Sequence, residues 1–220
     1  MPTVSTLFLI AAAVSAVLAI LSEERRTGRH AAFYLLKPLT TLLVLGAAAF
    51  AESADPAYRN WICVALLLST CGDIALLRAG NVAFMAGLGS FLVAHGLFVW
   101  AFVLDGFSTP PLWCALPIAG AAAFFVWLLP RTGELKIPVI VYAAALVGMT
   151  LAAAARAEVR GDTSGMLAIA GALLFLLSDS ALAVRQFNGP YRRAQTLILS
   201  TYWLAVGLIG ASTLGTLRIA

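Results

Sequence analysis

Apolar stretches of about 20 residues, separated only by short polar breaks, recur from one end of this chain to the other. Each is long enough to cross a hydrocarbon core of roughly 30 Å. They run from Thr3 to Leu21, Ala32 to Ala51, Ala57 to Leu77, Ala83 to Leu104, Pro111 to Leu129, Ile137 to Ala155, Gly165 to Val184 and Ala194 to Leu217. Of the 220 residues 62% are hydrophobic and 11% charged, whereas a soluble domain carries roughly a quarter charged residues. A water-soluble fold is excluded on that ground. Backbone N–H and C=O groups in lipid have to be satisfied within the segment, and these stretches lack the alternation of a barrel strand. The expectation is therefore an all-α, polytopic integral membrane bundle of eight transmembrane helices, forming a single transmembrane domain over residues 1–220. The first stretch is read as a retained helix, because Arg25, Arg26 and Arg29 follow its apolar run where a secretory signal would have positive charges before it.

Ten of the 14 Lys and Arg residues fall in or near the loops after helices one, three, five and seven: Arg25, Arg26, Arg29, Lys37, Arg78, Arg131, Lys136, Arg185, Arg192 and Arg193. Arg59, Arg156, Arg160 and Arg218 fall on the opposite side. The positive-inside rule places the odd-numbered loops in the cytoplasm and both termini outside, in an inner (cytoplasmic) membrane. This asymmetry accounts for the net charge of +4, and no basic stretch is interleaved with aromatics as nucleic-acid binding requires. Arg131, Lys136, Arg156 and Arg160 read as solvated loop charges.

Leu67-Leu68 followed by Asp73-Ile74-Ala75-Leu76 is echoed 106 residues later by Leu173-Leu174 followed by Asp179-Ser180-Ala181-Leu182. That offset pairs helix three with helix seven in one orientation and suggests two parallel four-helix repeats. The echo would bring two aspartates face to face.

A charge at the centre of a membrane helix costs roughly 2.5–3.5 kcal/mol on insertion scales, so each is a candidate for function. Asp73, Asp179 and Lys37 fall in the cytoplasmic half, and His95 lies nearer the midplane. Ser69 and Thr70 precede Asp73 by one turn, and Tyr34, Thr40 and Thr41 lie one turn from Lys37. Gln195, Ser200, Thr201, Tyr202 and Trp203 lie at a comparable depth in the last helix. Each of the four has a plainer alternative: Lys37, followed by Pro38, as a snorkelling residue in a first helical turn; Asp73 as an interfacial partner of Arg78; Asp179 as a packing residue; His95 as a satisfied core histidine.

Other chemistries lack their residues. With only His30 and His95 in the chain a His-rich zinc site is excluded. There is neither a nucleophile elbow nor a phosphate-cradling glycine loop. Cys63, Cys71 and Cys114 form no CxxC pair and read as small core residues. No metal or other cofactor is expected.

Lys37-Pro38-Leu39-Thr40-Thr41, Gly72-Asp73-Ile74-Ala75-Leu76-Leu77, Phe84 with Gly87, Phe91 and His95, Ser178-Asp179 with Leu182-Ala183, and Ser200-Thr201-Tyr202-Trp203-Leu204-Ala205 resemble, in this order, the motifs of the YhhN-like membrane proteins, which include the lysoplasmalogenases. The resemblance covers the chain from helix two to helix eight. It implies hydrolysis of the vinyl ether bond of a lysoplasmalogen to a fatty aldehyde and glycerophosphoethanolamine or glycerophosphocholine, with Asp73 and Asp179 as the catalytic pair. The partners would be a lysophospholipid substrate and membrane lipid, with no nucleic acid. Cleavage requires a proton donor for the alkene and an anion for the resulting cation, which two carboxyls supply as they do in glycosidases. On this reading His95 assists proton transfer, Lys37 suits the lipid phosphate, Tyr34 and Tyr202 lie near the headgroup, and Thr41, Ser69, Ser178 and Trp203 complete the substrate site. The competing expectation is a proton-coupled transporter of a lipid-like or small amphiphilic substrate, since paired intramembrane acids and a duplicated frame suit a carrier as well.

Overall fold

The structure, a computed structural model, describes residues 3–24, 31–106 and 108–214. Arg25, Arg26, Arg29, His30 and Arg218 lie outside the described residues, as does the expected end of helix eight at Leu217. The described residues form eight α-helices: α1 (Val4–Glu24), α2 (Ala31–Ala49), α3 (Pro56–Ala75), α4 (Asn81–Val103), α5 (Ala115–Leu128), α6 (Lys136–Arg160), α7 (Thr163–Phe187) and α8 (Ala194–Ala211). Seven are long and apolar enough to cross a membrane. The eighth, α3, has 20 residues but carries Arg59, Asn60, Ser69, Thr70 and Asp73 among its apolar ones.

Local sequence explains the element ends. Asp55 accepts the Tyr58 N–H at 3.0 Å and Pro56 opens α3, a pairing that suits a helix start because proline has no N–H to leave unsatisfied. Asp162 caps α7 by accepting the Gly165 N–H at 2.9 Å. Gly161, in the left-handed region at φ 56°, ends α6. Pro38 lies well inside α2 and not in its first turn, so the carbonyl one turn before it has no N–H from that position.

The helices pack in two corresponding sets. α2 lies against α3 as α6 lies against α7, α3 against α4 as α7 against α8, and α2 against α8 as α6 against α4. The outer helices differ. α1 packs on α2 and α8, whereas α5 touches its neighbours sparingly and buries only Ala121 and Leu128. Close approach requires glycine at several positions, two of them between helices of the same set. A Cβ at Gly72 would stand 2.6 Å from the Phe91 ring, and one at Gly171 would stand 2.8 Å from the Ala205 carbonyl oxygen.

One expectation fails here. Arg156 is not a solvated loop charge, because α6 continues to Arg160 and Arg156 is 1% exposed. Its Nε lies 2.8 Å from Asp105, its Nη2 donates to Ser164 at 3.1 Å, and its guanidinium covers the Tyr58 ring at 3.9 Å. Arg160 is partly buried beside it, 3.3 Å from Asp105 and 2.9 Å from Asp162. Taking these charges out of water is costly, and the ion pairs and the Ser164 hydroxyl offset that cost.

Candidate active site

Asp73 sits two residues before the end of α3 and is 1% exposed. Its carboxylate is held from two other helices. Thr41 of α2 donates to Oδ2 at 2.6 Å, Tyr202 of α8 donates to the same oxygen at 2.8 Å, and the Lys37 ammonium of α2 lies 3.5 Å from Oδ1. Lys37 also donates to the Asp73 main-chain carbonyl at 3.2 Å. Three donors, one of them cationic, converge on one buried carboxyl, which is what an ionised group needs away from water. Asp73 thus pairs with Lys37 and not with Arg78, and Lys37 is buried and does not snorkel.

Asp179 has a sparser setting in the middle of the opposite set. Tyr142 of α6 donates to its Oδ2 at 2.5 Å, and His95 of α4 has Nε2 at 3.9 Å from the same oxygen. His95 is fully buried, with neither ring nitrogen hydrogen-bonded, and its ring meets Tyr142 and Phe175 edge-on at centroid separations of 5.1 and 4.8 Å. Phe175 in turn meets Tyr202 at 5.5 Å and Phe91 meets both, so a continuous set of rings joins the surroundings of the two acids.

Both aspartates line one cavity of about 300 Å³. Lys37, Tyr202 and Ser178 line it with them, while Arg78, Arg185 and Gln195 give it a polar margin. Arg185 donates to Gln195, and Arg78 is exposed. Asp179 and four apolar neighbours also line a second, narrower crevice.

The remaining expected residues are more dispersed. Ser69 and Thr70 are buried, but their hydroxyls donate to the Ala65 and Leu66 carbonyls of their own helix, at 2.9 and 3.0 Å. Thr40 likewise donates to Leu36, and it shares a hydrogen bond with Ser15 of α1. Ser178 donates to the Ile198 carbonyl at 3.0 Å and so ties α7 to α8 beside Asp179. Tyr34 is exposed on the outer surface of α2, and Trp203 is buried with an unpartnered Nε1, neither of them lining the cavity. Tyr142 escaped the sequence reading. Its only signal is that it is the one tyrosine in a long apolar helix, where an O–H has to find an acceptor.

Residues 32–213 match the YhhN family, and this span contains all of the helices that build the cavity. The chain belongs to the YhhN family. Its similarity extends to individual members of known name. Lysoplasmalogenase TMEM86B of Sus scrofa is 34% identical over 177 residues, which cover 78% of this chain and 72% of that protein. The human protein of the same name is 33% identical over 184 residues, covering 83% and 76%. A lysoplasmalogenase of Mycobacterium bovis is 34% identical over 156 residues, covering 67% and 58%. No solved structure matches the chain significantly.

Proposed function

We propose that this protein is a membrane lysoplasmalogenase that hydrolyses the vinyl ether bond of a lysoplasmalogen with Asp73 and Asp179. The observation that carries the reading is that the two motif acids line one cavity yet have unlike partners. Asp73, facing an ammonium and two hydroxyl donors, is the standing anion. Asp179, facing one hydroxyl and apolar walls, is the proton donor. Tyr142 and His95 both approach its Oδ2, which leaves the other oxygen to carry the proton.

In the first step Asp179 protonates the outer alkene carbon. The C=C pair forms the new C–H bond, and the ether oxygen shares the positive charge of the resulting oxocarbenium ion. Asp73 stabilises that cation as an anion already fixed in place by its donors. Water adds to the cationic carbon and gives up a proton to the Asp179 carboxylate, forming a hemiacetal and restoring the acid. The hemiacetal then breaks its bond to the glycerol oxygen, which takes the hydroxyl proton, leaving a fatty aldehyde and a glycerophospho-alcohol. His95 is placed to orient Asp179 or relay its proton, and Thr41 and Tyr202 hold Asp73.

Lys37 is committed to Asp73, so its contribution to phosphate binding is through the net charge of the cavity. Arg78 and Arg185 at the margin are nearer the water phase and suit the phosphodiester directly. With these arginines on the positive-inside face, the cavity opens to the cytoplasm in the proposed topology and both termini lie outside.

Aldehyde release from a lysoplasmalogen by purified protein in detergent tests the assignment. Wild type should turn over, and Asp73→Asn and Asp179→Asn, folded to the same extent, should not. An inactive wild type, or an active Asp179→Asn variant, would overturn it.

A further inference from the structure

The cavity does not end at Asp179. Leu76, Phe84, Phe91 and Leu182 line it and, together with Asp179, also line a narrow crevice of about 40 Å³ between α4, α6 and α7. Apart from Asp179 and the Tyr142 hydroxyl that bonds it, the crevice is hydrocarbon, with Leu88, Leu146 and Ala183 among its walls. Its far wall includes Phe125 of α5, and Phe125 also lines a groove of about 280 Å³ between α5 and α6, with Ile118, Ile140 and Ala143. The three spaces are neighbours in series, each sharing wall side chains with the next. Asp179 stands between the polar space and the apolar one, and Phe125 between the crevice and the groove.

We infer that this series is the site of the substrate's hydrocarbon chain: the chain runs from Asp179 through the crevice, passes Phe125 and enters the bilayer sideways between α5 and α6. The inference rests on the lysoplasmalogenase reading, because that reading places the scissile bond at Asp179. The structure favours this opening over others in two ways. α5 buries only two residues and so can yield to a chain beneath it, whereas the other core helices are packed along their length. The groove on the other flank of α5, between Phe124 and Leu197, is about 350 Å³ but shares no residue with the crevice. A vinyl ether has its headgroup on one side and its alkyl chain on the other, and Asp179 is the one ionisable group common to a polar and an apolar space. The aldehyde product, having lost its headgroup, would leave by the same opening into lipid without crossing water.

Two saturated ether lysolipids that cannot be hydrolysed provide the test, one with a photoreactive diazirine near the ether and one with it at the chain end. Each is cross-linked to the intact protein in detergent, with and without excess unlabelled lysolipid. The near probe should mark Leu88, Leu146 or Ala183, the end probe Ile118, Ile140 or Ala143, and competition should remove both. Competed labelling around Phe124, Leu177 and Leu197 would overturn the inference, as would both probes marking one place. An Ala143→Trp variant should lose about tenfold in kcat/KM for long chains and little for a six-carbon chain; equal loss for both lengths would count against the route. Graded labelling in a protein without vinyl ether turnover would uphold the chain site and sink the catalytic reading, so the two fail separately.

Discussion

The bundle buries charge at both ends, and the two ends use it differently. Asp73, Tyr142 and Asp179 lie about 22 Å along the helices from Tyr58, Arg156 and Ser164, taking 1.5 Å per residue over the 14 or 15 residues that separate them on α3, α6 and α7. At the Arg156 end the charges meet in ion pairs at 2.8 to 3.3 Å and an aromatic ring covers the guanidinium, with about 10 Å³ left over. At the Asp73 end there are about 300 Å³ of open cavity, one acid with three donors and one acid with a single hydroxyl. Burial of charge is common to both. What separates the proposed site from a brace is space beside the charge and an imbalance in how its members are paired.

The largest expected effect belongs to the unbalanced end. Asp73→Asn and Asp179→Asn should each lower kcat for aldehyde release by about 10³-fold, within the usual range for losing an acid or base. Asp179→Asn should change thermal stability little, whereas Asp73→Asn, which takes the anion from beside the buried Lys37 ammonium, should also lower it. A fall of less than tenfold in either would erase the functional difference between the ends. Arg156→Met should do the opposite. Leaving Asp105 without its main partner should lower unfolding free energy by about 3 kcal/mol, while kcat per folded molecule stays at the wild-type value. Urea or thermal melts in detergent, alongside activity, would separate the two quantities.

Lys37 belongs to both descriptions and sharpens the contrast. Lys37→Met alone strands the Asp73 carboxylate, whereas Lys37→Met with Asp73→Asn removes both charges together. The double variant should recover stability relative to the sum of the single ones, with a coupling of about 2 kcal/mol, yet remain inactive. Recovered activity in the double variant would mean that Asp73 matters only as Lys37's counter-ion.

The smallest effect is at Asp162, outside the spanning segments. Burial pushes its carboxyl up, but hydrogen bonds from Arg160 and the Gly165 N–H outweigh this and hold it below the ordinary 3.8. A folded value below the unfolded one means that the contribution is full above pH 3.8 and is lost as pH falls through the folded value. Asp162→Ala should cost about 1 kcal/mol at neutral pH, as loss of an N-cap does, and the gap from wild type should shrink in acid. A gap that widens on acidification would reverse the sign.

Much of this was legible in the sequence, and the gaps have a common cause. Helix positions follow from runs of apolar residues, a local property, and the expected stretches and observed helices agree to within a few residues at most ends. α8 stops at Ala211, short of the expected Leu217, and α6 is the other clear exception. It was expected to stop at Ala155 because Arg156 looked like an ending, and it continues because Asp105, 51 residues earlier, meets that arginine inside the bundle. Asp73 and Asp179 stood out because acids in lipid are conspicuous by themselves. Tyr142 did not, since it declares itself only when distant helices are brought together, and Tyr202, expected beside the lipid headgroup, instead donates to Asp73. Ser69 and Thr70 misled for the converse reason: helical spacing puts them near Asp73, but a hydroxyl in a helix has a nearer acceptor in its own backbone.

The polar content of α3 also bears on how the chain is made. A helix carrying Arg59, Asn60 and Asp73 among its apolar residues partitions less readily into lipid by itself than its neighbours do. Its counter-charge, Lys37, is on α2, which a ribosome completes first. Membrane insertion of α3 can therefore proceed as a hairpin with α2, its acid already neutralised, before any of the second set of helices has been synthesised.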